Sequence, residues 1–284
     1  MNRVDAHQHY WRLKRGDYGW LSPSDGELYR DYMPADLAAS LAECGIGATV
    51  LVQAAATEDE TRFLFELAHQ HASVAGVVGW VNFEAADVGA RIERLIRDGG
   101  GTLKGIRPMV QDISDSQWLS RGSLDPAFYS IIANDLAFDA LVKPEHLGVL
   151  EQRLHRHPKL RVVLDHGGKP DIAGARFNPW SAQIEQLARN TSAYCKLSGL
   201  LTQAGRNADI AALDAYVAHV FACFGADRVM WGSDWPVVTP HASYQRWLEL
   251  SLELVERHAP GRQDAVFASN ALRFYRINRT RTPG

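Results

Sequence analysis

Short apolar runs recur along the chain, and each is followed by a segment whose apolar residues fall at helical spacing. Ala48–Gln53, Val77–Asn82, Leu103–Arg107, Ala137–Lys143, Leu160–His166, Ala193–Ser198 and Arg228–Asp234 are such runs, and Val4–His9 precedes them. A continuous apolar run of this length reads as a strand buried on both faces. Between the runs, Pro34 starts a helix through Leu37, Leu41 and Cys44 that Gly45 and Gly47 end, with proline inside the start and glycine past the finish. Thr57 and Glu60 have capping-box spacing ahead of Phe63, Leu64 and Leu67. Further helices are expected over 90–97, 126–132, 180–187, 210–224, 244–256 and 263–275, and from Pro144 through Leu154. Two long loops interrupt the pattern. One, Tyr10–Met33, is rich in aromatic residues and reads as a packed lid or as core filler; the other spans Met109–Asp125.

Strand and helix thus alternate about eight times with no Gly/Ser linker between them. Such alternation means a parallel sheet, and eight units in about 250 residues predict a closed (β/α)₈ TIM barrel. The expected organisation is one domain over 1–284, with a frayed basic tail at about 277–284. An open doubly wound sheet is the competing architecture. It would carry a glycine-rich first turn, whereas this first turn is His7-Gln8-His9.

Composition narrows the function more than the fold. The chain has 284 residues, 46% hydrophobic and 22% charged, with a formal net charge of -3. That balance offers no electrostatic footprint for nucleic acid or an anionic membrane. Cys44, Cys195 and Cys223 form no Cys-x-x-Cys pair, which argues for a reducing compartment. No signal-peptide core and no run long enough to span a bilayer is visible, so a cytoplasmic protein is expected.

A barrel gathers its chemistry at the C-terminal ends of its strands. Those ends carry His7 and His9, Gln53, Trp80 and Asn82, Arg107, Lys143, His166, Lys196 with Ser198, and Asp234. Residues two apart on a strand share a face, so His7 and His9 aim both imidazoles at one spot, suited to a divalent metal or a reacting carbonyl. The plainer alternative is that they cap the strand. For Trp80 and Trp235 core packing is the alternative, and for Lys143 and Lys196 a salt bridge in the barrel mouth. His69, His71, His155 and His157 close helices and read as surface residues. His241 reads as a helix-start residue.

His7-Gln8-His9, Leu164-Asp165-His166-Gly167-Gly168 and Trp231-Gly232-Ser233-Asp234-Trp235-Pro236, in this order, resemble the amidohydrolase superfamily. More narrowly they resemble its amidohydrolase 2 branch, which contains sugar-acid lactonases and pyrone dicarboxylate lactonase. Gly105-Ile106-Arg107 and Ser269-Asn270-Ala271 fit the same branch, and the resemblance runs from about residue 3 to 277. It implies that His7, His9 and Asp234 hold a divalent metal, zinc being the expected ion. The superfamily's further ligands are not all present: the fourth strand offers Arg107, which stays protonated, and the fifth offers Lys143 where a histidine is usual. Catalysis is therefore not expected to depend on the metal.

The implied reaction is hydrolysis of a sugar-acid lactone, such as that of L-fuconate or L-rhamnonate. Asp234 is the expected general base, His7 and His9 polarise the carbonyl, Arg107 steadies the oxyanion or product carboxylate, and His166 orients substrate or carries the leaving-group proton. Gln53, Trp80, Asn82, Lys143 and Trp235 are the expected substrate contacts. A metal-dependent decarboxylase, or another amidohydrolase acting on a small carboxylated substrate, is the second expectation, and a binding barrel without catalysis the third. The oligomeric state stays open.

Overall fold

The computed structural model describes residues 3–205 and 209–278, so most of the tail expected at 277–284 lies outside the described residues. Eight strands stand in sequence order in one sheet: β1 Arg3–Gln8, β2 Ile46–Val52, β3 Val74–Gly79, β4 Leu103–Ile106, β5 Ala137–Ala140, β6 Arg161–Leu164, β7 Tyr194–Leu197 and β8 Val229–Trp231. Every neighbouring pair is parallel. A parallel bridge between Gln8 and Trp235 joins the last strand's extension to the first and closes the barrel. The open doubly wound sheet is thereby excluded.

The helices of the outer layer are α1 Pro34–Glu43, α2 Glu58–Gln70, α3 Val88–Gly99, α4 Asp125–Ala133, α5 Leu147–Arg156, α6 Trp180–Asn190, α7 Leu200–Ala204, α8 Ile210–Phe224, α9 Tyr244–His258 and α10 Asn270–Phe274. The stretch expected as one helix over 263–275 is helical through 274, with a turn of π-helix, Ala265–Ser269, inside it that leads into α10. None of these helices is long and apolar enough to cross a membrane.

The two-residue period of the strands divides the core in two. Leu51, Val77, Ile106, Phe138, Leu164, Leu197 and Trp231 face the helices. Val50, Val52, Val78, Ala137, Val163 and Met230 fill the barrel axis and meet Phe274 and Tyr275 at its lower end. Asp139 and Lys196 share that inward parity, which is how two charged residues come to be fully buried inside the barrel.

β1 breaks the period. Its register against β2 shifts between Asp5 and Gln8. Asp5 reaches outward to the Tyr244 hydroxyl on α9, 2.9 Å away, while His7, two residues on, turns into the barrel. A bulge re-aims side chains in this way.

Several expectations change. The strands stop earlier than their apolar runs: β3 ends at Gly79 and β5 at Ala140, leaving Trp80, Asn82 and Lys143 in the loops beyond. Gly47 lies inside β2, not past the end of α1. Thr57 caps α2 by accepting from the Glu60 amide, but the Glu60 carboxylate does not reach back; its Oε1 accepts from the Ala54 amide at 2.8 Å. His157 is buried, not on the surface: its ring stacks on Phe128 at 5.4 Å, and its Nε2 lies 3.3 Å from Asp125. Of the aromatic loop, Tyr10 and Trp11 are core, whereas Trp20 stays exposed with its indole N–H donating to the Ala54 carbonyl at 2.8 Å.

Candidate active site

A cavity of about 210 Å³ opens at the C-terminal end of the barrel, lined among others by His9, Arg107, His166, Lys169 and Asp234. Its floor is assembled from strand ends. His7 and His9 stand on β1 and just beyond it, Arg107 follows β4, His166 follows β6, and Asp234 lies three residues past β8. The backbone secures the junction: the Asp234 amide donates to the His7 carbonyl at 2.8 Å, and the His9 amide to the Trp235 carbonyl at 2.7 Å. His166 and Asp234 both adopt left-handed backbone, each with φ of 56°. Such conformations are costly for residues with a side chain and collect at functional sites. Glycines beside them permit the close approach. A Cβ on Gly199 would lie 2.5 Å from His166 Nδ1, and one on Gly232 would lie 2.6 Å from His7 Cβ.

Three donor atoms converge below the cavity. His7 Nε2 lies 3.2 Å from His9 Nε2, His9 Nε2 lies 3.3 Å from Asp234 Oδ1, and His7 Nε2 lies 3.7 Å from the same oxygen. Tetrahedral zinc with ligands at about 2.0–2.1 Å separates them by about 3.3 Å, so this triangle has the dimensions to hold a divalent cation with its fourth position open. The surroundings fit in one respect and oppose in another. His9 Nδ1 lies 2.8 Å from the Val52 carbonyl, an acceptor, so its hydrogen is there and Nε2 turns a lone pair to the centre. Arg107 Nη1, however, stands 3.5 Å from His7 Nε2, a fixed positive charge beside any cation bound there.

The charge state follows from burial and neighbours. Burial raises the Asp234 carboxyl, but His166, His9 and His7 outweigh it and hold the group well below the usual carboxylate range. Burial, joined by Lys196, drives His7 well below an ordinary imidazole despite Asp165. Burial likewise brings His166 down to about 4 against the pull of Asp234 and Asp165. At neutral pH the site therefore presents a carboxylate between uncharged His7 and His166. His166 Nδ1 is held 2.9 Å from the Ser198 hydroxyl, and its Nε2 lies 4.0 Å from Asp234 Oδ1.

The expected substrate contacts are placed unevenly. Arg107 is on the cavity wall, clamped by the Gln53 carbonyl and by Asp165 Oδ2 at 3.3 Å. Gln53 is fully buried and spends its side-chain amide on the Arg107 carbonyl at 2.8 Å, so it holds Arg107. Trp235 is buried, with its ring against Tyr10 and Tyr32 at 5.8 and 5.2 Å. Trp80 and Asn82 line a wider adjoining cleft of about 640 Å³, which meets the first along Trp20, Ala54, Met109 and Asp112. Lys143 is exposed and lines an outer hollow with Arg176.

Two residues enter that the sequence reading passed over. Lys169, also left-handed (φ 53°), brings a cation to the cavity wall and donates to Gln111 Oε1. Its signal is a lysine directly after the Gly167-Gly168 turn at a strand end. Asp165, next to His166, lies 3.3 Å from His7 Nδ1 and ties His7 to Arg107 and Lys196.

Residues 4–277 match the model of the amidohydrolase family. L-fucono-1,5-lactonase of Burkholderia ambifaria is 42% identical over 98% of this chain and 96% of its own length. L-fucono-1,5-lactonase of Burkholderia multivorans is 37% identical over 90% and 92%. The crystal structure of a Burkholderia multivorans amidohydrolase with bound zinc superimposes with a TM-score of 0.91 at 34% identity, covering 98% of this chain and all of that one. With barrel, strand-end residues and relatives in agreement over nearly its whole length, the chain belongs to the amidohydrolase family.

Proposed function

We propose that this protein hydrolyses a 1,5-lactone of a sugar acid, L-fucono-1,5-lactone first among them, to the free aldonic acid. The observation that carries the proposal is the buried Asp234 carboxylate, flanked by His7, His9 and His166 and facing a cavity into which Arg107 and Lys169 bring hydrogen-bond donors. The two lactonases at 42% and 37% identity supply the substrate class.

The residues divide the work as follows. Asp234 takes a proton from water as the water oxygen attacks the ring carbonyl carbon. Arg107, which can only donate, receives the developing oxyanion, and afterwards the product carboxylate. The carbonyl–ring oxygen bond breaks as the tetrahedral intermediate collapses. The proton on Asp234 then reaches the departing alkoxide through His166, which Ser198 orients. Lys169, Gln111 and Gln203 offer hydrogen-bonding groups to ring hydroxyls, and the exposed Trp20 offers an aromatic face. Where a divalent cation, zinc by preference, is bound, His7, His9 and Asp234 would hold it, and it would add Lewis-acid polarisation of the carbonyl. Arg107 beside that position supports weak binding and a reaction that proceeds without it.

The test is acid release, followed with a pH indicator, from a panel of 1,5- and 1,4-aldonolactones with and without a chelator. Turnover of L-fucono-1,5-lactone that survives chelation is the expected result. No acid from any aldonolactone overturns the proposal.

A further inference from the structure

We propose that Lys196 and Asp165 compete for Nδ1 of His7, and that the tautomer they select decides whether the His7–His9–Asp234 triad closes on itself or opens to a divalent cation. The inference rests on these three residues being the cation site proposed above.

Lys196 Nζ lies 3.1 Å from His7 Nδ1. An ammonium has only hydrogens to offer, so this contact requires a lone pair at Nδ1 and, in neutral His7, a hydrogen on Nε2. That hydrogen has a receiver: His9 Nε2, 3.2 Å away, whose lone pair is fixed there because His9 Nδ1 donates to the Val52 carbonyl. The result is a chain of donors running one way, from Lys196 through His7 and His9 to Val52, opposed at His7 Nε2 by the Arg107 Nη1 donor 3.5 Å away. In this state the hydrogen on His7 Nε2 occupies the place where a cation would sit.

A second arrangement is built into the same residues. Asp165 Oδ1 lies 3.3 Å from His7 Nδ1, fully buried and, among the described residues, without a hydrogen bond. Lys196 stands 3.0 Å from that oxygen, outside hydrogen-bonding geometry. Lys196 has another partner in Asp139 Oδ2 at 2.6 Å, an oxygen that also accepts from the Tyr275 hydroxyl at 2.5 Å. When the hydrogen of His7 moves from Nε2 to Nδ1, it meets the unused oxygen of Asp165, Lys196 keeps Asp139, and Nε2 is left as a bare ligand atom. One proton leaves one ring nitrogen and one arrives at the other, so the net charge of the protein is unchanged. A carboxylate behind a ligating histidine is the common way to fix that tautomer. Here an ammonium contests the position. Lys196, Asp165, Asp139 and His7 are all fully buried, so solvent does not arbitrate between them.

The test is long-range ¹H–¹⁵N correlation of the histidine rings in ¹⁵N-labelled protein, first with chelator and then during titration with zinc chloride. The His7 signals are assigned by their loss in His7→Asn. The expected result is a hydrogen on Nε2 in chelated protein and on Nδ1 once zinc is bound. In parallel, zinc affinity by competition with a chromophoric chelator should rise about tenfold in Lys196→Met and fall about 10- to 100-fold in Asp165→Asn. A His7 that keeps one tautomer with and without zinc overturns this inference and leaves the cation site standing. Zinc that moves no signal of His7 or His9 overturns both. Should Lys196→Met fail to fold, because Asp139 and Asp165 lose their shared partner, the wild-type titration decides by itself.

Discussion

The backbone amide of Asp234 donates to the carbonyl of His7 across the seam of the barrel, at 2.8 Å. The first and the eighth strand are thus joined at the two residues whose side chains meet below the cavity. Replacing either side chain leaves this bond in place, so activity can be separated from folding.

Asp234→Asn should therefore fold normally and lose lactone hydrolysis. The amide cannot take a proton from water, and removal of a general base costs on the order of 10²–10⁴ in rate. Acid release and thermal melting of the same preparation check this. Unchanged turnover would remove Asp234 from the mechanism.

The pH profile should fall on the acid side only. His166 gains a proton as pH drops through about 4, and the relay closes. Asp234 stays ionised to still lower pH, because its folded-state affinity for protons is depressed. Initial rates between pH 3 and 8, corrected for spontaneous hydrolysis, should rise to a plateau above roughly pH 5. A midpoint near neutrality would mean that a histidine must be lost as a cation there, contrary to the burial of these rings.

Lys169→Met should weaken substrate binding more than chemistry. A hydrogen bond from a charged group contributes about 1.5–3 kcal/mol, hence a KM about 10- to 100-fold higher with kcat within a few-fold. Lys169→Arg should recover part of that loss. A fall in kcat at constant KM would instead place Lys169 at the reacting atoms.

Gly199→Ala tests the support of His166. The new methyl would stand 2.5 Å from His166 Nδ1, at a backbone φ of 63° that alanine adopts at a cost. The ring must leave Ser198, and turnover should drop at least about tenfold while the barrel persists. Retained activity would show that the Ser198 contact is dispensable.

Glu60 gives a prediction about stability. Burial raises its carboxyl to about 8, against the Ala54 and Ala55 amides. Its folded pKa lies above its unfolded one, so its contribution is full below about pH 4 and is lost as pH rises toward 8, on the order of a few kcal/mol. Glu60→Gln keeps an acceptor for the Ala54 amide and cannot ionise. Urea midpoints from pH 5 to 8 should decline less steeply in the variant; parallel declines would contradict the assignment.

Much of the barrel could be read from the chain because apolar runs and helical spacings are local. Helix Ile210–Phe224 has the limits its periodicity predicts. His7, His9, His166 and Asp234 could be placed because each ends a run that should otherwise stop in apolar residues. The rest depended on partners distant in sequence. Gln53, Trp80 and Trp235 stood at or near strand ends, yet only packing distinguishes a side chain that faces the cavity from one that holds its wall. An aromatic ring serves both uses equally well. Glu60 shows the same limit: its spacing from Thr57 suits a capping box, but the Ala54 amide competes for the carboxylate and wins. The pairing of Asp165 with His7 spans 158 positions of chain and a register shift, and no periodicity encodes it.

The bonds across the seam have a consequence for how such a barrel can change over generations. Closure here is written in main-chain atoms, Asp234 to His7 and His9 to Trp235, which every amino acid but proline can supply in both senses. The side chains of His7, His9 and Asp234 are thereby released from holding the barrel shut, while that of Trp235 still packs against Tyr10 and Tyr32. A lineage can exchange a ligand for a hydrogen-bond donor, or a base for a spectator, one substitution at a time without passing through an unfolded intermediate. The shared scaffold and the freedom to acquire new chemistry then come from one and the same set of bonds.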